Sequence, residues 1–191
     1  MKVSFPNFCA KLFVFSVFSL YSASSIANDL KVYTGFHIFN GIYNVREVNS
    51  PTDRMPGFHL FSGASFPIID YLSLRVEGMY NHGYDHSPST NYSSFTIRSG
   101  FEVVNSDRYE NSAIIPYFLL GAGIVAYDPP KMDMQEGYVT SGTFGVKVPF
   151  GSGWNIDIAL EYSYSTFDFV LVKGKTHLDR MGLGLGIVKT F

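Results

Sequence analysis

The sequence contains a single cysteine, Cys9, among its 191 residues. A disulfide needs two cysteines and a thiolate metal site needs several, so the chain uses neither to hold its fold together. Cys9 also precedes the apolar run of the first segment, whereas a lipid-bearing cysteine would follow such a run. Basic residues are few as well: beyond position 27, 12 lysines and arginines face 16 acidic residues. This mildly negative balance disfavours binding to nucleic acid.

Long hydrophobic runs are also missing. The run from Leu12 to Tyr21 is about half of the roughly 20 apolar residues that a membrane-spanning helix requires, and no later stretch is long enough. The run follows a basic start and is followed by a small-residue end at Ala27. This arrangement predicts a secretory signal peptide over residues 1–27, cleaved after Ala27, and leaves residues 28–191 as a single domain.

What the sequence does have is alternation of apolar and polar residues. Eight segments show it, at 30–39, 57–66, 71–81, 92–104, 113–126, 138–149, 154–166 and 178–191. An exported chain without a spanning helix can satisfy its backbone in lipid only as a closed barrel. Aromatic residues make up 17% of the sequence, an excess that suits the girdles at the two interfaces of such a barrel. The sequence therefore predicts an all-β fold, an eight-stranded antiparallel up-and-down transmembrane β-barrel.

The last segment shows the pattern most clearly. Its apolar residues fall on one face and its arginine and glycines on the other: Met181, Leu183, Leu185 and Ile187 against Arg180, Gly182, Gly184 and Gly186. Apolar residues toward lipid and polar residues toward the lumen are typical of membrane barrels. A soluble lipocalin-like barrel, the alternative, would keep the apolar residues inside. The segment 113–126 is apolar on both faces, so its phase depends on the assumption that Gly121 and Gly123 point inward.

The connections between the predicted strands alternate in length. Four are long and polar, at 40–56, 82–91, 127–137 and 167–177, whereas 67–70 and 151–153 are short and 105–112 is intermediate. Bacterial membrane barrels place short turns in the periplasm and long loops outside the cell, so we expect both ends of the barrel chain on the periplasmic side. The predicted location is the outer membrane of a Gram-negative bacterium.

Several segments resemble a known family. They are Pro116-Tyr-Phe-Leu-Leu-Gly-Ala-Gly123, Gly142-Thr-Phe-Gly-Val-Lys-Val-Pro-Phe-Gly151, Asp157-Ile-Ala-Leu-Glu-Tyr162 and the terminal Phe191. In these the chain resembles the small eight-stranded outer-membrane β-barrels, the OmpA/OmpX/Opa-like group of Gram-negative bacteria. The resemblance implies contact with outer-membrane lipid and lipopolysaccharide, and recognition of Phe191 as an assembly signal by the β-barrel assembly machinery. Lys189 departs from the family pattern, which more usually has an apolar or aromatic residue there.

Inside the predicted barrel the charges balance. Alternation turns four basic and four acidic residues toward the lumen: Arg75, Arg98, Lys147 and Arg180, and Glu77, Glu102, Asp157 and Glu161. An eight-stranded barrel has an interior that side chains can just fill, and buried charges are tolerated when they are paired. The sequence therefore predicts a lumen plugged by an ion-pair network of these eight residues. A narrow small-solute channel lined by the same charges is the alternative.

A further alternative is an enzyme that modifies lipid A, as an acyl hydrolase or transferase. Lipid-A deacylases carry His-x-Ser on the matching strand, but this sequence reads Glu161-Tyr162-Ser163 and lacks the base that would activate the serine. Other candidates are His82, Asp85, His86 and Ser87, the pair His177 and Asp179, and a two-histidine metal site of His37 and His59. Such residues are ordinary in solvated loops, and the histidine pair has no evident third ligand. We therefore expect no catalytic residue, no metal and no cofactor.

The predicted outer loops carry the remaining chemistry. The first mixes aliphatic, aromatic and charged side chains: Ile42, Tyr43, Arg46, Glu47, Arg54 and Met55. The fourth contains residues 167–172, which would extend a strand above the membrane and offer an exposed β-edge to a partner. The predicted function is a structural or surface-interaction role through these loops. An extracellular partner is one form of that role, and contact with only lipopolysaccharide head groups and solvent is the other.

Overall fold

The computed structural model describes residues 30–45, 53–85, 90–103, 114–128, 134–168 and 175–191. It contains eight strands: β1 (Lys31–Val45), β2 (Asp53–Ile69), β3 (Leu72–Asp85), β4 (Thr90–Val103), β5 (Ile115–Asp128), β6 (Gln135–Gly151), β7 (Trp154–Asp168) and β8 (Lys175–Thr190). The predicted signal peptide, residues 1–27, lies outside the described residues. No helix in these ranges is long and apolar enough to cross a membrane.

The strands form one closed barrel in which each strand pairs with its neighbours in the sequence. All pairings are antiparallel, and the barrel closes between β1 and β8, from Tyr33 paired with Thr190 to Val45 paired with Leu178. Closure gives every strand a hydrogen-bonded neighbour on both sides. The predicted eight-stranded antiparallel up-and-down barrel is confirmed.

The two ends of the barrel differ in their connections. At the end where β1 begins and β8 ends, here called the turn end, residues 70–71, 104–114 and 152–153 join the strands. At the other end, the loop end, the joining segments are 46–52, 86–89, 129–134 and 169–174. At the turn end Gly153 has a φ of +78°, and a Cβ there would collide with the backbone oxygen of Thr190. Glycine is the residue that tolerates both conditions.

The strands extend further toward the loop end than the alternation predicts. β1 continues to Val45 and β2 begins at Asp53, so Ile42, Tyr43 and Met55 belong to the sheet. The predicted long loops at 40–56, 82–91, 127–137 and 167–177 are therefore wrong in extent. A ladder is made of backbone groups, so two strands held together by their hairpin continue to pair through residues that show no apolar alternation.

Side chains alternate between the outside and the lumen. The outward residues of β7 and β8 are apolar and exposed: Trp154, Ile156, Ile158, Leu160, Met181, Leu183, Leu185 and Ile187. β5 has the assumed phase, because Tyr117 and Leu119 are buried inside whereas Phe118 and Leu120 face out. This arrangement is the reverse of a lipocalin-like barrel, which would keep its apolar side chains inside.

Candidate functional site

Buried charges occupy the part of the lumen nearer the turn end. Seven of the eight predicted lumen charges form this group, here called the charged layer: Arg75, Glu77, Arg98, Glu102, Lys147, Asp157 and Glu161. They come from inward positions of β3, β4, β6 and β7. Inward residues on paired strands lie side by side, so these charges reach one another across the lumen wall.

Glu77 is at the centre of the charged layer. Its Oε2 accepts hydrogen bonds from Arg75 Nη2 at 2.7 Å and from the Tyr33 hydroxyl at 2.9 Å. Its Oε1 pairs with Arg98, which also reaches Glu161 with 3.1 Å between Nη1 and Oε2. One buried carboxylate is therefore shared by two guanidinium groups, and Glu161 supplies a second negative charge to Arg98.

A second ion pair extends the charged layer toward the turn end. Lys147 Nζ donates to Glu102 Oε2 at 2.5 Å, and Arg75 Nη1 lies 3.6 Å from the same oxygen. The Ser65 hydroxyl donates to Glu102 Oε1 across 3.4 Å. Arg75 therefore joins the Glu77 and Glu102 pairs into one connected group.

Two tyrosines that no sequence motif marked complete the charged layer. The Arg75 guanidinium carbon lies 4.5 Å from the Tyr33 ring centroid and 4.2 Å from that of Tyr117, within cation–π distance. The Tyr117 hydroxyl donates to Asp157 Oδ1 at 2.9 Å. The sequence could have indicated them, because both tyrosines occupy inward positions of the alternating pattern, on β1 and β5, next to inward charges of other strands.

His37 and His59 lie opposite each other on β1 and β2 inside the barrel, with 6.1 Å between ring centroids. His37 Nε2 is 3.2 Å from Asp157 Oδ2, and His59 Nδ1 is 3.8 Å from Glu161 Oε2. Each histidine therefore lies beside a carboxylate of the charged layer. Within the described ranges, no group of three or more histidine, cysteine, aspartate or glutamate residues is placed to hold a metal ion.

Arg180, the eighth predicted lumen charge, lies apart from the charged layer. Its guanidinium carbon is 4.0 Å from the Phe39 ring centroid and 5.1 Å from that of Tyr92. It is 1% exposed, and none of its three nitrogens has a hydrogen-bond partner among the described residues. The structure thus departs from the predicted network here, because aromatic faces take the place of carboxylates around this side chain.

Apolar side chains fill the lumen beyond Arg180. This loop-end cluster consists of Tyr43, Met55, Tyr92, Val125, Tyr127, Val139, Phe167 and Leu178. Four of these residues fell in predicted loops: Tyr43, Met55, Tyr127 and Phe167. These residues could have been found by counting every second residue of each strand as inward, beyond the last residue that clearly alternates.

The predicted β-edge at residues 167–172 is not open in the part that the structure describes. Phe167 pairs with Gly137 of β6 on one side and with Thr176 of β8 on the other. Asp168 pairs with Lys175. The extension of β7 is therefore confirmed as far as Asp168 but is already covered by both neighbours, and residues 169–172 lie outside the described ranges.

A cavity of about 540 Å³ opens at the turn end of the lumen. The inner part of the cavity is lined by Tyr33 and by two residues of the charged layer, Glu102 and Lys147. Its rim is lined by Trp154 and Asn155. The cavity therefore brings solvent to one edge of the charged layer but not to the loop-end cluster.

The candidate catalytic residues lie on different surfaces. Glu161 and Ser163 point into the lumen, where both are buried. His82 belongs to β3 and faces outward, with its Nδ1 2.9 Å from the Ser93 hydroxyl. Asp85 also lies in β3, while His86 and Ser87, like Arg46 and Glu47, lie outside the described residues.

His177 and Asp179 lie on the outer surface of β8 toward the loop end. The Tyr164 hydroxyl is 2.6 Å from His177 Nδ1, and the Tyr162 hydroxyl donates to Asp179 Oδ1 at 2.6 Å. Each of the two polar residues is thus matched with a tyrosine of β7. Because Ser163 faces the opposite side of β7, it does not join this outer group.

The last residues of β8 pack around the turn between β6 and β7. Lys189 Nζ donates to the backbone oxygen of Ser152 at 2.5 Å and lies 5.2 Å from the Trp154 ring centroid. These contacts give a structural reason for a lysine at a position where the resembling family more usually has an apolar residue. Recognition of Phe191 by an assembly machinery stays a prediction.

Comparisons with known proteins bear on the fold. No protein-family model matches the chain, and no curated protein matches it either. Among solved structures, Neisserial surface protein A (NspA) has 15% identity and a TM-score of 0.52, with 86% of this chain and 98% of that chain covered. Ail, the attachment invasion locus protein of Yersinia pestis, has 14% identity and a TM-score of 0.51, covering 83% and 97%. Ail in complex with the heparin analogue sucrose octasulfate has 13% identity and a TM-score of 0.50, covering 84% and 99%. The chain therefore has the fold of the small eight-stranded outer-membrane barrels.

Proposed function

We propose that this protein is an integral outer-membrane barrel with a closed lumen that acts through the extracellular ends of its hairpins. The observation that carries the proposal is the inside-out distribution of side chains. Ile158 is 38% exposed and Leu185 is 56% exposed, whereas the neighbouring inward residues Asp157 and Arg180 are at most 1% exposed. Only an apolar surrounding makes this distribution favourable, since exposed aliphatic surface is costly in water and favourable in lipid.

The first experiment tests the location. Cells of a Gram-negative host expressing the full chain are fractionated, and the barrel is followed by heat-modifiable migration on a gel. We expect it in the outer-membrane fraction, with faster migration in unheated samples. A folded monomer that stays dispersed in buffer without detergent would overturn the proposal.

Two groups of side chains, one after the other along the barrel axis, support the proposal of a closed lumen. The charged layer occupies the turn-end half, and the loop-end cluster, which includes Met55 and Phe167, fills the other. Side chains fill the interior of a barrel of this size, so little room is left for conduction. In planar bilayers we expect no reproducible single-channel conductance. A steady unitary conductance would favour the narrow small-solute channel instead.

The surface role is supported by the way the hairpins continue beyond the apolar band. Toward the loop end the outward residues become polar, including Arg54, Asp128, Glu136 and Asp179. Loops and hairpin ends on a rigid scaffold are common carriers of recognition. NspA is called a surface protein and Ail an attachment invasion locus protein, and both share this fold.

The charge of these hairpin ends indicates the kind of partner. Sucrose octasulfate, the heparin analogue bound to Ail, is a polyanion that needs a concentrated basic surface. In this chain the four outward residues named above are three acids and one arginine. We therefore propose a neutral or basic extracellular partner, with contact to lipopolysaccharide head groups and solvent alone as the competing role.

The second experiment separates these two roles. In one variant residues 46–52 are replaced by a short glycine and serine turn, which leaves β1 and β2 intact. In the matched control residues 105–112, at the opposite end of the barrel, are replaced in the same way. Adhesion of the expressing cells to cultured epithelial cells should fall with the first variant and stay unchanged with the second. If cells with either variant and cells without the barrel adhere equally well, the extracellular partner is contradicted. The role that then stands is contact with lipopolysaccharide head groups and solvent.

Two insertion sites, one at each end of the barrel, test the orientation. An epitope tag inserted between β3 and β4, at residues 86–89, should be labelled by antibody on intact cells. A tag at residues 105–112 should be labelled only after the outer membrane is permeabilised. The reverse pattern would show that the turn end faces outward.

We also propose that the protein is not an enzyme. Glu161 and Ser163 are buried in the lumen, where acyl chains of lipid A do not reach, and Glu161 is paired with Arg98. Purified barrel mixed with lipid A should therefore release or transfer no acyl chain, with or without divalent ions. Acyl release that is lost on substitution of His177 would overturn this part of the proposal, because His177 lies on the outer surface of the barrel.

A further inference from the structure

Three buried polar side chains without partners stand in one row across the lumen wall. Ser141 of β6 is the pairing neighbour of Ser163 of β7, which is in turn the pairing neighbour of Arg180 of β8. All three point inward and are at most 7% exposed. Ser163 is therefore the direct neighbour of both Ser141 and Arg180 on the lumen wall.

Every hydrogen-bonding atom in this row lacks a partner within the part of the chain that the structure describes. These atoms are the hydroxyl oxygens of Ser141 and Ser163 and the Nε, Nη1 and Nη2 atoms of Arg180. Buried polar atoms in folded proteins nearly always find a partner, and each exception calls for one. The row thus offers a concentration of unmatched donors at a single place.

Among the residues that the structure describes, no carboxylate lies within ion-pair distance of the Arg180 guanidinium group. Glu161, two residues from Ser163 on the same face of β7, is already paired with Arg98 and lies beside His59. The faces of Phe39 and Tyr92 lie against Arg180, and Glu161 attracts it only from a longer distance. Aromatic faces attract a cation only weakly compared with the cost of burying an uncompensated charge. Water molecules could accept hydrogen bonds from the N–H groups of Arg180, but they would not supply a close negative charge.

We propose that Arg180, with the hydroxyls of Ser163 and Ser141, binds a small monovalent anion inside the barrel. The anion would accept hydrogen bonds from the guanidinium group and the two hydroxyls. The loop-end cluster covers the site on one side and the charged layer closes it on the other, so the ligand is small and singly charged, such as a halide. This site is independent of the role proposed for the hairpin ends.

The direct test locates the anion. Crystals of the detergent-solubilised barrel are grown with sodium bromide as the only halide, and bromide is found by its anomalous scattering. The expected result is a bromide peak in contact with the Arg180 guanidinium group and the Ser163 hydroxyl. A map with bromide peaks elsewhere and none at Arg180 overturns the proposal. This test uses the unaltered protein and does not depend on the folding of any variant.

The second test measures linkage between halide and stability. Tm is measured in detergent and urea, in sodium bromide and in sodium gluconate of equal ionic strength, since gluconate is too large for the site. For the unaltered chain Tm should rise by about 3–5 °C for each tenfold increase in bromide above the Kd, and not with gluconate.

Substitutions test whether the bromide effect on Tm comes from binding at Arg180. Arg180→Gln should abolish the bromide effect, and Ser163→Ala should shift it to about tenfold higher bromide, a loss typical of one hydrogen bond to a charged group. Arg54→Gln, an exposed arginine at the loop end, is the matched control and should keep the full effect. A bromide effect of the same size in Arg180→Gln as in the unaltered chain would show a general salt effect and overturn the proposal.

Discussion

The two halves of the lumen are filled by side chains of different chemistry. In the turn-end half, each carboxylate of the charged layer lies beside particular partners, as Glu77 does with Arg75, Arg98 and Tyr33. In the loop-end half, the eight residues of the loop-end cluster meet through apolar surface. Apolar side chains of similar volume can replace one another, whereas an ion pair tolerates few substitutes.

This difference teaches how the strands find their register. A shift of one residue between two strands would turn each inward charge into the lipid and each outward aliphatic residue into the lumen. The charged layer makes such a shift especially costly, because buried charges would lose partners set by exact pairing. We infer that the turn-end half specifies the register and that the loop-end half mainly closes the barrel above it.

The largest effect should follow from breaking the charged layer at its centre. Glu77→Ala leaves Arg75 and Arg98 buried without their shared carboxylate, so we expect a loss of about 4 kcal/mol in the free energy of unfolding. The measurement is urea unfolding in detergent, followed by the fluorescence of Trp154, the single tryptophan. Glu136→Ala, which removes an exposed acid at the loop end, is the control and should change little. Equal losses in the two variants would contradict the central place of Glu77.

The loop-end half should be less sensitive to a comparable truncation. Leu178 is 1% exposed inside the loop-end cluster, so Leu178→Ala should cost about 3 kcal/mol through lost burial and a residual cavity. Leu183→Ala, on the same strand but facing outward, serves as the matched control in the same assay. Its loss should be smaller, because detergent fills the space that the side chain leaves. A larger loss for Leu178→Ala than for Glu77→Ala would reverse the ranking of the two halves.

The comparison also explains what the sequence could predict. Inward and outward positions of β7 and β8 followed directly from alternation, because one face of each strand meets lipid and the other meets the lumen. That alternation is a local property, and it gave the fold, the phase of the strands and the identity of most lumen charges. Which charges pair could not be read in this way, since Glu77 and Arg98 meet through the register of β3 and β4.

The missed features have a related physical origin. Tyr43 and Phe167 fall in predicted loops because polar outward residues, among them Asn40, Asn44 and Thr166, interrupt the apolar face of their strands near them. Above the apolar band the outside no longer demands apolar residues, so the alternation fades although the ladder continues. The lumen position of Arg180 was predicted, but its separation from the charged layer was not. Alternation shows that a residue faces the lumen but not at which height its side chain ends.

Two glycines of β6 test how closely the charged layer is packed. A Cβ at the inward Gly145 would lie 2.6 Å from Tyr117 Cε1, whereas one at the outward Gly142 would meet only Leu120 Cδ2 at 3.8 Å. Gly145→Ala would push Tyr117 away from Arg75 and Asp157, and overpacking of this kind costs about 2 kcal/mol. Gly142→Ala should be close to neutral, within about 0.5 kcal/mol. Urea unfolding of the pair gives the comparison, and equal stability of both variants would mean that Tyr117 is free to move.

The smallest expected losses of stability come from two serine substitutions, one in each half, which compare the access of water to the two halves of the lumen. Ser165 and Tyr92 are fully buried and share a hydrogen bond of 3.3 Å in the loop-end half, so Ser165→Ala leaves the Tyr92 hydroxyl unmatched at a cost of about 1–2 kcal/mol. Ser65 donates to Glu102 beside the turn-end cavity, where water can take its place and Lys147 still pairs with the carboxylate. Ser65→Ala should therefore cost only about 0.5 kcal/mol. If the two serine variants lose the same stability in urea, the cavity does not hydrate the charged layer, and the two halves are equally dry.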